Sequence, residues 1–240
     1  MTLLQHLDEL RSRLLKSAVA FVVAFGLCWS VSERILQFLV EPIRRHLFEG
    51  GEIVFIHLTE PFLIYMKASA LVAVFLSSPV ILYQLWAFVA PGLHVRERRL
   101  VVPFLVFGTA FFLIGGGFGY YVATPTAARW LIGLGNEFQA QITLRSAFQF
   151  ESWIILGMGA VFELPVLIFF LSRIGLVTPQ FLMRHFRIAV VVIVAVSAIL
   201  TPTGDVVTLG VFAVPMILLY LLGVLVSWIS QWRRREEPRE

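Results

Sequence analysis

Cys28 is the only cysteine in 240 residues, so the chain can form no internal disulfide and no multi-cysteine metal site. Charge is scarce as well. Only 14% of residues are Asp, Glu, Lys or Arg against 59% hydrophobic, and the mean hydropathy is +0.87. So few charges cannot cover a water-facing surface, which excludes a soluble globular fold. The five histidines, His6, His46, His57, His94 and His185, are scattered without ligand spacing, and no metal site is expected. HExxH, GxSxG and Walker A patterns are missing, as are paired intramembrane aspartates. We therefore expect neither an enzyme nor a cofactor. The net charge of +4 comes from basic residues bordering apolar runs, which membrane topology accounts for, so no nucleic-acid partner is expected. No cleavable signal or transit peptide is expected ahead of the first apolar run.

What the chain has instead is length in apolar residues. The runs 17–32, 68–86, 100–122, 152–172, 188–200 and 206–229 are uncharged apart from Glu163. A bilayer core about 30 Å thick is crossed by roughly 20 apolar residues as helix, so the fold class expected is all-α: a polytopic membrane protein with six transmembrane helices. Residues 1–232 form a single six-helix domain in this reading, followed by a charged cytoplasmic tail, 233–240. Lys and Arg set the orientation. With the N-terminus inside, thirteen of the nineteen face the cytoplasm, among them Arg11, Arg13, Arg96, Arg98, Arg99 and Arg173. Both ends are thus expected in the cytoplasm. The two longer outer connections, 33–67 and 123–151, mix apolar residues with charges such as Glu41, Arg44 and Arg129, and read as short interfacial helices.

Two features of the runs invite explanation. The fifth is 13 residues long, about 20 Å of helix, too short for an unperturbed bilayer unless the lipid thins or its polar ends sit deep. Gly115 and Gly119 form a small-xxx-small pair that lets a second helix approach closely, either from this chain or from another copy.

The N-terminal stretch carries Leu3, Leu7, Leu10 and Leu14 at helical spacing, an amphipathic helix leading into the first span. On it Glu9 and Arg13 are i,i+4 neighbours, which by itself reads as a helix-stabilising pair. Glu97 lies in the basic run Arg96-Glu97-Arg98-Arg99 before the third span, and the same reading applies. Glu163 differs, because a carboxyl group inside a span is costly and such residues face a bundle interior, a water-filled cavity or a polar partner. Counting from the start of its apolar run, it lies about 16 Å from the outer end. Pro165, two residues on, removes a backbone donor and leaves the carbonyl of Val161 free. Lys67 or a tyrosine of the same chain is one candidate partner for the carboxyl group. A helix of another protein is the other.

Five stretches occur together and in order: HLDELRSRL (6–14), SSPVILYQLWAFVAPGL (77–93), RERRLVVPF (96–104), FELPV (162–166) and LTPTGD (200–205). In these the chain resembles the TatC family, the receptor subunits of the twin-arginine protein translocase, and the six-span plan extends the resemblance over nearly the whole sequence. The resemblance implies a receptor and core scaffold in a prokaryotic inner membrane. It would bind twin-arginine signal peptides of folded precursors, whose export draws on the proton gradient. Implied partners are TatA-like and TatB-like single-span proteins and further copies of the chain. Glu9 and Glu97 would take the two arginines, with Arg11 and Phe88 in the same receptor surface. The chemistry suits the task, since a carboxylate accepts a guanidinium in a bidentate fork that a lysine ammonium cannot copy. Arg11, Arg13, Arg96, Arg98 and Arg99 compete for those carboxylates, so selectivity must come from geometry.

By the same resemblance Glu163 and Asp205 would form polar contacts for partner helices, while Pro42, Pro79, Pro91 and Pro165 are structural. The family often carries a glutamine shortly after the aspartate corresponding to Asp205; here Val206, Val207, Thr208 and Leu209 follow. An ion-coupled secondary transporter is the alternative, but such proteins show internal repeats and several midplane ionisable groups, and only Glu163 qualifies here.

Overall fold

The computed structural model describes residues 3–47, 53–89, 101–135, 141–201 and 205–236. Helix α1 (Leu3–Trp29) and helix α3 (Glu60–Val89) pack antiparallel. At one end the ring of His6 stacks on Phe88 and Arg13 reaches Gln84; at the other Trp29 meets Phe62 edge-on. Between them Ala24 and Cys28 close on Ala73, small residues that let the helices approach.

Helix α2 (Ser32–Arg44) is the amphipathic cap expected from its mixed composition. Leu36, Leu39, Val40 and Ile43 are buried, and its charged residues lie on the other side. Pro42 sits buried in its last turns. Beyond it, strand β1 (Ile53–Val54) pairs in parallel with strand β2 (Ile142–Thr143), tying the two outer connections together. This is the capped end of the bundle; the end holding His6 and Phe88 is the open end.

Helix α4 (Val101–Phe118) does not stop where its apolar run meets Ala123. It passes through one π-helical turn, Gly119–Ala123, into helix α5 (Thr124–Leu134), giving one apolar helix over Val102–Leu134. The wide turn directly precedes Pro125, whose missing N–H interrupts the regular ladder. Thr124 N bonds back to Gly119 O, and the helix continues. Part of the segment expected to be a separate interfacial helix is therefore continuous with the helix of the third apolar run.

The next span also begins earlier than its uncharged run. Helix α6 (Leu144–Phe162), capped by Thr143 Oγ1 accepting from Ser146 N, and helix α7 (Leu164–Arg173) form one crossing, Leu144–Arg173, interrupted at Glu163. Pro165, buried near the start of α7, prevents an unbroken ladder through this point. Gly175 ends α7 with φ 78°, a conformation that favours glycine, and Leu176 N then reaches Leu171 O. Helix α8 (Pro179–Arg184) is a single short piece capped by Thr178. Helix α9 (Phe186–Leu200) is 15 residues, about 22 Å of helix. Helix α10 (Val206–Glu236) runs parallel to α7: a Cβ on Gly223 would meet Ile168 Cδ1 at 2.7 Å, and one turn on Ser227 donates to Ser172.

Five helices among the described residues are long and apolar enough to cross a membrane, and α9 is shorter. The core between them, around Ala127, Ile154, Met158, Ile193, Phe212 and Met216, is aliphatic and aromatic. Outward-facing residues such as Val19, Val23, Val106, Val191 and Leu225 are exposed. An apolar exterior of this extent is the surface of a membrane protein. The start of α1 and the end of α7 both lie at the open end, where Trp86 of α3 stacks on Phe104 of α4 and meets Phe170 of α7.

Candidate functional site

At the open end the i,i+4 spacing of Glu9 and Arg13 brings their side chains together. Arg13 donates from Nε and Nη2 to Glu9 Oε1 at 3.0 and 2.5 Å, and its Nη1 lies 3.4 Å from Gln84 Oε1 on α3. Both side chains are about four-fifths buried. Among the described residues the second carboxylate oxygen, Oε2, has only the His6 Nδ1 within reach, at 4.0 Å. His6 is fixed by its stack on half-buried Phe88, ring centroids 4.3 Å apart. Glu9 and Phe88 thus lie in one surface formed by α1 and α3, with one oxygen of the carboxylate committed and the other open to a further donor. Arg11 stays exposed and forms no ion pair among the described residues. Glu97 and Pro91 lie outside the described residues.

Glu163 is not midway along its span. Because α6 starts at Leu144, the residue lies about 28 Å from the capped end and about 15 Å from Arg173. Its side chain points at α4, where a Cβ on Gly108 would sit 3.3 Å from Oε2; the glycine leaves room for the carboxyl group. Among the described residues Oε1 is buried without a hydrogen-bond partner, and so is the hydroxyl of Thr109 on the next residue of α4. Neither Lys67 nor a tyrosine meets Glu163: Lys67 lies at the capped end, lining a cavity with His57 and Arg145. Pro165 is buried beside the break, and Pro79 is exposed within α3.

Asp205 opens α10, its Oδ1 accepting from Thr208 N at 2.7 Å, the geometry of a helix cap. Nearby, Ser197 and Thr208 are fully buried. Ser197 donates to Met216 Sδ at 3.2 Å, Thr201 Oγ1 closes on the carbonyl of Ser197, and the Thr208 hydroxyl has no partner among the described residues. Polar side chains therefore gather where α9 turns into α10.

Two acidic residues escaped the sequence reading. Glu151 was assigned to a connection, yet it lies inside α6 with no exposed surface and neither carboxyl oxygen bonded among the described residues. Starting that span at Ser152 hid it. Glu60, the first residue of α3, accepts from Ile56 N and His57 N with Oε2 and from Arg145 N with Oε1, at 3.2, 3.4 and 2.9 Å. It holds the two outer connections together beside the β1–β2 pair. Its partners are backbone groups, which carry no sequence signature.

The architecture is that of a multi-pass helical membrane protein with a polar surface at one end and ionisable residues in the bundle. The family model for Sec-independent protein translocase protein (TatC) matches residues 5–215. A TatC protein from Koribacter versatilis is 41% identical over all of this chain and 90% of its own length, and one from Campylobacter jejuni 42% over 92% and 91%. A crystal structure of the twin arginine translocase receptor TatC superposes with a TM-score of 0.81 at 30% identity, covering 94% of this chain and 99% of that one. A second, in DDM, gives 0.83 at 31%, covering 92% and 99%. The chain belongs to the TatC family of Sec-independent protein translocase components.

Proposed function

We propose that the open end of the bundle is a receptor face for peptides bearing two consecutive arginines, in a six-span protein of a prokaryotic inner membrane. In this reading α9 is the short fifth span and both termini are cytoplasmic. The positive charge around the open end and the shared position there of the start of α1 and the end of α7 support that topology. Residues 1–232 act as one membrane domain with 233–240 as a charged tail. Folded precursors are the cargo, TatA-like and TatB-like single-span helices and further copies of this chain the partners, and the proton gradient the energy source.

The observation that carries the reading is Glu9. One of its oxygens already holds the guanidinium of Arg13, and the other accepts no hydrogen bond among the described residues, which leaves it for a donor from a peptide. Glu97 supplies the second carboxylate by motif. Binding of a synthetic Arg-Arg signal peptide to the purified protein is the test. Losing one charge-assisted bond costs about 1.5 to 3 kcal/mol, so Glu9→Gln should weaken binding at least tenfold, with Glu97→Gln similar. Equal affinity for Arg-Arg and Lys-Lys peptides, or unchanged binding by both variants, refutes the assignment.

A further inference from the structure

At the capped end a cavity of about 180 Å³ is lined by His57, Thr59, Glu60, Leu63, Ile64, Lys67 and Arg145. It joins the connection before α3, the first two turns of α3 and the start of α6. Lys67 and Arg145 are both exposed, and neither has a carboxylate within 4.0 Å among the described residues. The one acid in the cavity, Glu60, is buried and turned to the three backbone N–H groups of Ile56, His57 and Arg145. Counting Glu60 as one negative charge against Lys67 and Arg145, the cavity retains one positive charge with His57 neutral.

The depth of Lys67 narrows what can neutralise that charge. It lies seven residues into the apolar helix Glu60–Phe88, about 10 Å below its first residue, one turn below exposed Leu63 and next to exposed Met66. An ammonium at this level extends its stem along apolar surface to reach a polar or anionic group. Lys67 is the deepest residue of the lining: Leu63 and Ile64, one turn nearer the capped end, form an apolar wall beside the exposed side chains of Phe62 and Met66, and Arg145, His57 and the hydroxyl of Thr59 complete the cavity. The site is amphipathic in the sense of a phospholipid: cations and a hydroxyl for a phosphate, aliphatic surface for an acyl chain.

We infer that this cavity binds the phosphate of an anionic phospholipid headgroup through Arg145 and the upward-reaching Lys67, with the acyl chains passing Leu63 and Met66 toward the bilayer centre. A phosphodiester with no cation of its own matches the single surplus charge, whereas a choline headgroup brings its own positive group and gains less. The site is separate from the peptide-binding surface at the open end and does not depend on that assignment.

Native mass spectrometry of the full chain in detergent tests it, with phosphatidylglycerol or phosphatidylcholine of identical chains added. The wild type should retain one phosphatidylglycerol in preference to phosphatidylcholine, and Lys67→Gln/Arg145→Gln should lower that preference by about tenfold, the equivalent of one charge-assisted contact. An Arg44→Gln/Arg129→Gln protein removes the same charge from exposed positions outside the cavity and should retain the lipid as the wild type does. Thermal midpoints of all three proteins show that each is folded. Equal retention of the two lipids, or equal loss in both double variants, overturns the inference. Displacement of the lipid by millimolar inorganic phosphate alone would also overturn it, assigning the cavity to a free anion.

Discussion

Gly115 and Gly117 are two residues apart on α4, yet opposite effects are expected when each becomes alanine. A Cβ on Gly115 would lie 2.5 Å from the carbonyl oxygen of Met158 and 2.7 Å from Phe162 Cβ, whereas one on Gly117 would meet nothing within 4 Å. The obstacle at 115 is backbone of α6 and cannot swing aside, so α4 and α6 must separate by roughly an ångström. Overpacking of this kind costs about 1 to 3 kcal/mol, and a backbone obstacle places Gly115→Ala at the upper end. Alanine returns about 0.5 to 1 kcal/mol in helix preference over glycine, leaving a net loss of about 2 kcal/mol. For a chain of this size that lowers the midpoint by about 4 to 8 °C. Gly117→Ala keeps only the gain and should raise the midpoint by about 2 °C. Thermal unfolding in detergent, read by the monodisperse fraction on size exclusion, measures both. Midpoints within a degree of each other would show that α4 and α6 are not in backbone contact at Gly115. They would return the glycine pair to contact between copies.

Glu151→Leu should raise the same midpoint, since it replaces an unpartnered buried carboxyl group whose burial costs about 1 to 3 kcal/mol; a lower midpoint means that the carboxyl group has a partner. Glu60→Ala removes the acceptor shared by three backbone N–H groups, so amide exchange at Ile56, His57 and Arg145 should speed up while that of α10 stays constant, and unchanged exchange refutes the tie. Glu163→Gln retains a hydrogen-bonding group opposite Gly108 and should support export better than Glu163→Ala, with peptide binding at the open end equal in both. A photocrosslinker at position 163 should reach a single-span partner helix, and crosslinks confined to this chain together with full export by Glu163→Ala would make the residue a purely internal one.

Membrane character and helix order were legible because hydropathy reports directly on the solvent, and lipid leaves few alternatives to a helix. The ends of the spans were less so. Reading a span as an uncharged run placed the start of one at Ser152, although α6 begins at Leu144 and carries Arg145 at its first turn and Glu151 inside the bundle. A charge is excluded from lipid, not from the interior of a helix packed on all sides. The same habit ended α4 at Val122, whereas a π turn carries the helix past Pro125 to Leu134. For the site, the spacing of Glu9 and Arg13 foretold their contact, but the partner helix that supplies Gln84 and Phe88 is a matter of tertiary packing. Glu60 illustrates the limit from the other side: its three partners are backbone groups from two distant segments, and only folding brings them to it.

The short α9 changes how Asp205 is to be read. Leu200, its last residue, packs where a Cβ on Gly157 would meet its Cδ2 at 3.3 Å, thirteen residues into α6 and so about 20 Å below the capped end. The last backbone groups of α9 consequently lie well below the capped end. Irregular backbone at such depth persists only when its polar groups are satisfied within protein or at a hydrated cavity. Thr201 Oγ1 bonding to the Ser197 carbonyl and Asp205 bonding to Thr208 N supply part of that satisfaction. Asp205 therefore has a structural task before any partner arrives, as the cap that allows α10 to begin where α9 has run out. Among the described residues the hydroxyl of Thr208, fully buried on the first turn of α10, has no hydrogen-bond partner, and a polar side chain of a docking helix would find it there only by entering the packed bundle.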